Sequence, residues 1–195
     1  LPTFESLMAL TNLASMEDDE VRQLVISTAW QQVEEQLLSS NPLVSKAAVE
    51  LVCNLMLSPE GIALYADGNR QAGQRLHILL ALADAEDEAT RSAAGGALAT
   101  LSGFENVVRG IVHRDRGVKV VLGLCNDSNE GLRHRGVVII LNMVTSEGAV
   151  GEEAREKVKS DGGVEVLKDC LKQSRRPEVV QLTVQALKPL LEQKE

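Results

Sequence analysis

The chain has 195 residues with a formal net charge of −8, 44% apolar and 25% charged residues. An acidic surface repels phosphate backbones and gains nothing from anionic membranes, so no nucleic-acid partner and no membrane partner is expected. Aromatics make up only 2%, namely Phe4, Trp30, Tyr65 and Phe104, which argues for helices packed through Leu, Val and Ala rather than for a sheet.

The first element expected is a lone helix over 3–15, with Leu1-Pro2-Thr3-Phe4 running straight into it. There is no initiator Met and no secretory signal, so the chain reads as a fragment of a longer protein. Glu17-Asp18-Asp19 is expected to open a short helix, its acids complementing the helix dipole, and a second helix holds Trp30, Val33 and Leu37. Asn41-Pro42 starts a third, because Asn accepts from the free backbone donors and Pro at the first position loses no hydrogen bond. Ser58-Pro59 repeats the device. Later helices are expected near 59–66, 70–83, 86–102, 104–113, 116–126, 129–145, 149–160, 162–173 and 177–193. Asp67-Gly68-Asn69 and Asp161-Gly162-Gly163 are turns between them. Pro189 is expected to kink or end the last helix.

These helices repeat. Asn12, Asn54, Thr100, Asn142 and Pro189 occupy equivalent places, spaced by 42, 46, 42 and 47 residues, the range of armadillo and HEAT repeats. Three helices per unit, the first short, favour armadillo. The fold class expected is all-α, an armadillo-type helical repeat superhelix (α-solenoid), with residues 1–195 forming about four three-helix repeats after the lone helix. Six residues before each reference position sits a small residue, Ala48, Ala94, Gly136 or Thr183, where neighbouring helices approach closely. Cys53, Cys125 and Cys170 form no CxxC pair and are expected to be reduced core thiols of a cytoplasmic protein.

No catalytic constellation is visible: no HExxH, no zinc spacing, no phosphate loop and no nucleophile elbow. A non-enzymatic chain without cofactor or metal is expected. His134, between Arg133 and Arg135, reads as an exposed helix residue. Asn12, Asn54 and Asn142 are the most suggestive residues, since Asn is a mediocre helix former yet recurs late in equivalent helices. Their amides could clamp an extended partner along a concave groove, or bond a neighbouring loop and brace the repeat. Lys46, Glu50, His134 and Arg135 would set the local charge of that groove. Armadillo-type nuclear-import receptors pair such Asn with Trp four residues earlier; Met8, Glu50, Gly96 and Val138 stand there instead, which disfavours that function.

The stretches Ala9-Leu-Thr-Asn-Leu-Ala-Ser15, Cys53-Asn-Leu-Met56, Ala66-Asp-Gly-Asn69, Gly96-Ala-Leu-Ala99 and His134-Arg-Gly-Val-Val138 resemble, in order and spacing, the C-terminal part of the UCS family of myosin chaperones. The chain looks closer to a fungal member than to an animal one. The resemblance implies stacked armadillo repeats that bind the myosin motor domain and assist its folding, with no ATP hydrolysis of their own. A general ATP-driven chaperone would be recruited through regions not in this chain. Residues 147–195 match the pattern less well. The alternative function is an armadillo adaptor for an unrelated cytosolic partner.

Overall fold

The computed structural model describes residues 2–192; Leu1 and the end of the expected helix at 193 lie outside them. The described residues form twelve α-helices and no strand. They divide into two compact units, residues 1–101 and 102–195.

The first unit holds α1 (Pro2–Ala14), α2 (Asp19–Gln36), α3 (Pro42–Leu55), α4 (Pro59–Ala66), α5 (Arg70–Ala83) and α6 (Glu88–Leu101). Its inner layer is α1, α3 and α6, with α3 packed on both. α2 leans on α1 and α3, and α5 on α6. The starts follow from local chemistry. Asp18 accepts from the backbone N–H of Glu20 and Val21, Asn41 from Leu43, Ser58 from Gly61 and Asn69 from Ala72. Pro42 and Pro59 occupy the first helical positions, where a missing N–H loses nothing. One expectation fails here: residues 19–36 form a single continuous helix, not two. No Gly or Pro interrupts that stretch, and the Ser27 and Thr28 hydroxyls donate back to the Leu24 carbonyl instead of capping a new helix.

The second unit holds α7 (Glu105–Val112), α8 (Gly117–Cys125), α9 (Glu130–Thr145), α10 (Gly148–Ser160), α11 (Gly163–Gln173) and α12 (Pro177–Leu191). Here α9 packs on α8 and α12, and α11 on α12. Pro189 does not break α12 at once; the helix runs two residues past it and ends at Leu191. α7 has the eight residues of a short first helix, but its counterpart α10 has thirteen.

Both cores are built mainly of Leu, Val and Ala, with Ile added in the second, and the small positions are all closed: Ala48, Ala94 and Thr183 are 0% exposed, and Gly136 is buried. Gly136 has a specific reason. A methyl group there would stand 2.5 Å from the Cys125 backbone nitrogen and 2.8 Å from the Leu124 carbonyl carbon. Only hydrogen lets α9 lie this close to the end of α8. Of the thiols, Cys125 and Cys170 are buried, but Cys53 is only half-buried, a correction to its reading as a core residue. It follows from its register: Cys53 precedes Asn54, on the side of α3 that is not covered. No single helix among the described residues is long and apolar enough to cross a membrane. α3 and α4 together reach the length, but they meet at 110° and α3 lies between α1 and α6.

Candidate functional site

On α3, Lys46, Glu50 and Asn54 recur every four residues, so they share one face of the helix. All three are half-buried, whereas Ala47, Ala48, Val49 and Leu51 between them face the core. Asn54 Nδ2 donates to the Thr11 carbonyl of α1 at 3.1 Å. The asparagine of one repeat thus ties down the equivalent helix of the preceding one. Its Oδ1 accepts no hydrogen bond from the described residues and is not buried. Asn12, on the outermost helix of this unit, is exposed, and its side chain makes no hydrogen bond among the described residues. Lys46 lies close enough to the start of α6 to act on Asp87. That carboxyl is held below the usual carboxylate range chiefly by the Thr90 N–H at 2.7 Å and hydroxyl at 2.8 Å, with Lys46 and Arg91 adding to it.

In the second unit His134 and Asn142 share a face of α9 with Val138 between them. Asn142 Nδ2 donates to Ser102 Oγ at 2.9 Å, a partner forty residues earlier. His134 is half-buried rather than exposed, and its Nε2 sits 3.3 Å from Glu178 Oε1 on α12. Arg135 is half-buried beside it. Arg133, the neighbour of His134 in sequence, makes its bonds elsewhere. Its guanidinium turns to the opposite side, 5% exposed, and donates through Nε and Nη2 to the Asp127 carbonyl and through Nη1 to Glu130 and Ser174.

The two readings of the asparagines therefore divide by atom. In Asn54 and Asn142 an amide N–H braces the repeat, while the carbonyl side remains available as an acceptor. Sequence reasoning missed a second bracing position, nine residues before the reference. There Ser45 donates to the Leu37 carbonyl, Arg91 to the Ala85 and Glu86 carbonyls and Arg133 to that of Asp127. The signal was a long or hydroxylated donor near the start of α3, α6 and α9; α12 has Val180 there instead.

Away from these faces, Trp30 meets Tyr65 edge-on at 6.2 Å, and the Arg75 guanidinium lies 5.4 Å over the Trp30 ring while its Nε donates to Glu34 Oε1 at 2.8 Å. Burial, with the Glu34 charge, pushes the Tyr65 phenol far above its ordinary range. This cluster joins α2, α4 and α5 into a packed outer wall. Among the described residues no three His, Cys, Asp or Glu side chains converge on a metal-sized space.

No protein-family model matches the chain. Ring assembly protein 3 of Schizosaccharomyces pombe is 36% identical over 171 residues, covering 86% of this chain and 22% of that protein. Protein unc-45 homolog B of Xenopus tropicalis is 29% identical over 184 residues, covering 91% of this chain and 19% of that protein. The order agrees with the resemblance to a fungal member. Among solved structures, UNC-45 from Drosophila melanogaster matches with a TM-score of 0.83 and 31% identity over 96% of this chain and 23% of that one. A designed armadillo repeat protein in complex with a (KR)4 peptide matches with a TM-score of 0.74 at 20% identity, over 96% of this chain and 74% of that one, and speaks for the fold alone. The chain spans about a fifth of the length of its curated relatives. The fold is an all-α, armadillo-type solenoid, and the chain is homologous to a segment of ring assembly protein 3 and of the UNC-45 proteins.

Proposed function

We propose that this chain is a client-binding segment of a myosin chaperone, engaging the myosin motor domain through the uncovered faces of its inner helices. The homology to ring assembly protein 3 and UNC-45 along nearly the whole chain carries this reading. A solved UNC-45 structure with a TM-score of 0.81 is described as bearing on "binding and folding muscle myosin". The residues engaged are Asn54, Glu50 and Lys46 on α3 with Asn12 on α1, and Asn142, His134 and Arg135 on α9. The asparagine Oδ1 atoms accept from client backbone N–H groups, and the flanking charges orient the client. The segment acts by binding, without nucleotide hydrolysis or cofactor, in the cytoplasm. Any general ATP-driven chaperone is recruited by other parts of the protein.

The test is a pull-down of purified myosin motor domains by the chain, with a second armadillo protein as control. Specific retention of a motor domain is expected. Retention of none, across several myosin classes, would instead favour an adaptor for an unrelated partner. Reversing the charge at Arg135 should change the salt dependence of association.

A further inference from the structure

The loop that joins α11 to α12 reads Ser174-Arg175-Arg176, a hydroxyl followed by two cations. Other loop serines, Ser39, Ser40, Ser128 and Ser146, have no basic residue within two positions. The loop is extended at both ends, with Ser174 at φ −74° and ψ 133° and Arg176 at φ −84° and ψ 119°. Gln173, Arg175 and Arg176 are exposed, and Ser174 is half-buried. An extended, exposed segment enters another protein's groove without first unfolding a helix.

The hydroxyl lies against a fixed cation. Arg133 Nη1 donates to Ser174 Oγ at 3.3 Å, and this guanidinium is 5% exposed and anchored on the Asp127 carbonyl through Nε and Nη2. The anion already beside it is poorly held. Glu130 Oε1 takes both the Arg133 Nη1 bond at 3.1 Å and the Arg175 N–H bond at 2.9 Å, whereas Oε2 is buried with no hydrogen-bond partner. A buried carboxylate oxygen left unpaired is costly, so Glu130 is a weak occupant of that position. α12 also opens without a side-chain cap, and its dipole favours an anion just before it.

We propose that Ser174 is a phosphorylation site, modified by a protein kinase whose substrate groove is acidic, and that Arg133 receives the phosphate in place of Glu130. In the transfer the bond between Ser174 Oγ and the γ-phosphorus of ATP forms, the bond from that phosphorus to the bridging oxygen of ADP breaks, and the hydroxyl proton goes to the kinase. The phosphate brings about two negative charges and three acceptor oxygens. Through Arg133 it ties α9 to the loop that starts α12 more strongly than a neutral hydroxyl does. The site lies outside the proposed client contacts and does not depend on them.

Two experiments on the whole chain test this. Incubation with ATP, magnesium and protein kinase A or protein kinase C, read by mass spectrometry, should place phosphate on Ser174, and S174A should lose that label. Phosphoserine placed at position 174 during translation should raise the melting temperature by about 2–4 °C. Its phosphorus resonance should titrate at about pH 5 in the folded chain, below the ordinary value of about 6. In concentrated urea Arg175 and Arg176 stay adjacent but Arg133 does not, so the midpoint should move back towards that ordinary value. The proposal fails if neither kinase modifies Ser174, or if the phosphorylated chain melts at or below the parent's temperature. Equal midpoints in the folded and the urea-unfolded chain would show a phosphate in open solvent and would also overturn it.

Discussion

The two units solve the same packing problem with the same device and then present different surfaces. In each, an asparagine near the end of an inner helix reaches back about forty residues, Asn54 to a backbone carbonyl and Asn142 to a buried serine hydroxyl. In each, a donor near the start of an inner helix closes the preceding loop. Yet the first unit is strongly acidic and contains the long continuous α2, while the second is nearly neutral and holds Arg116 at positive φ just before α8. Repeats that share interior constraints are free to differ on the outside, and the differences are where partner chemistry is written.

The largest expected effect comes from the place where the units differ inside. Gly136→Ala sets a methyl group against backbone that cannot move aside, so overpacking should outweigh the helix-propensity gain and destabilise by about 3 kcal/mol, the upper end of the usual cost. Ala94→Gly, at the matching position of the first unit, should lose about 1 kcal/mol through propensity. Urea denaturation of both variants checks the ranking, and an equal effect would mean that the inner helices approach equally closely in both units.

Arginine truncation comes next. Arg133→Ala removes charge-assisted bonds from a buried guanidinium and should cost about 2–3 kcal/mol, whereas Arg91→Ala, in a half-buried site, should cost about 1 kcal/mol. Asn142→Ala should cost about 1 kcal/mol, because the fully buried Ser102 loses a donor. Asn54→Ala should fall near the lower end of the usual range of about 0.5–1.5 kcal/mol, since the Thr11 carbonyl keeps the Ser15 N–H. Differential scanning calorimetry resolves these steps.

The smallest effect is a pH dependence in the first unit. The depressed Asp87 carboxyl stabilises the fold above its unfolded pKa of about 3.9, and this contribution is lost as pH falls through the lower folded value. Asp87→Asn should therefore lower the melting temperature slightly at pH 7 and converge on the parent in acid. A difference that grew on acidification would refute the assignment.

Much of this was legible in the sequence because the governing signals are local. Pro42 after Asn41, Pro59 after Ser58 and the Asp67-Gly68-Asn69 turn fix helix ends through a residue or two, and α4 and α5 begin and end where the sequence places them. The repeat spacing located the fully buried positions Ala48, Ala94 and Thr183 and the close approach at Gly136. What escaped depends on long-range geometry. In 19–36 the Ser27-Thr28 pair could either cap a new helix or bond back within a continuous one, and it does the latter. Whether an arginine points at His134 or at the Asp127 carbonyl is decided by the loop it meets. Lys46, Glu50 and Asn54 share one face of α3, as their four-residue spacing implies, but which amide atom braces and which remains outward could come only from coordinates.

The central claim, that the uncovered inner-helix faces hold a myosin motor domain, is tested most directly by light scattering of a heated motor domain with the chain at equimolar ratio. The comparison is a Glu50→Lys, Arg135→Glu variant shown by calorimetry to melt with the parent. Suppression of scattering by the parent and its loss in the variant are the predicted results. A variant that protects as well as the parent, or a parent that protects no motor domain, would contradict the account.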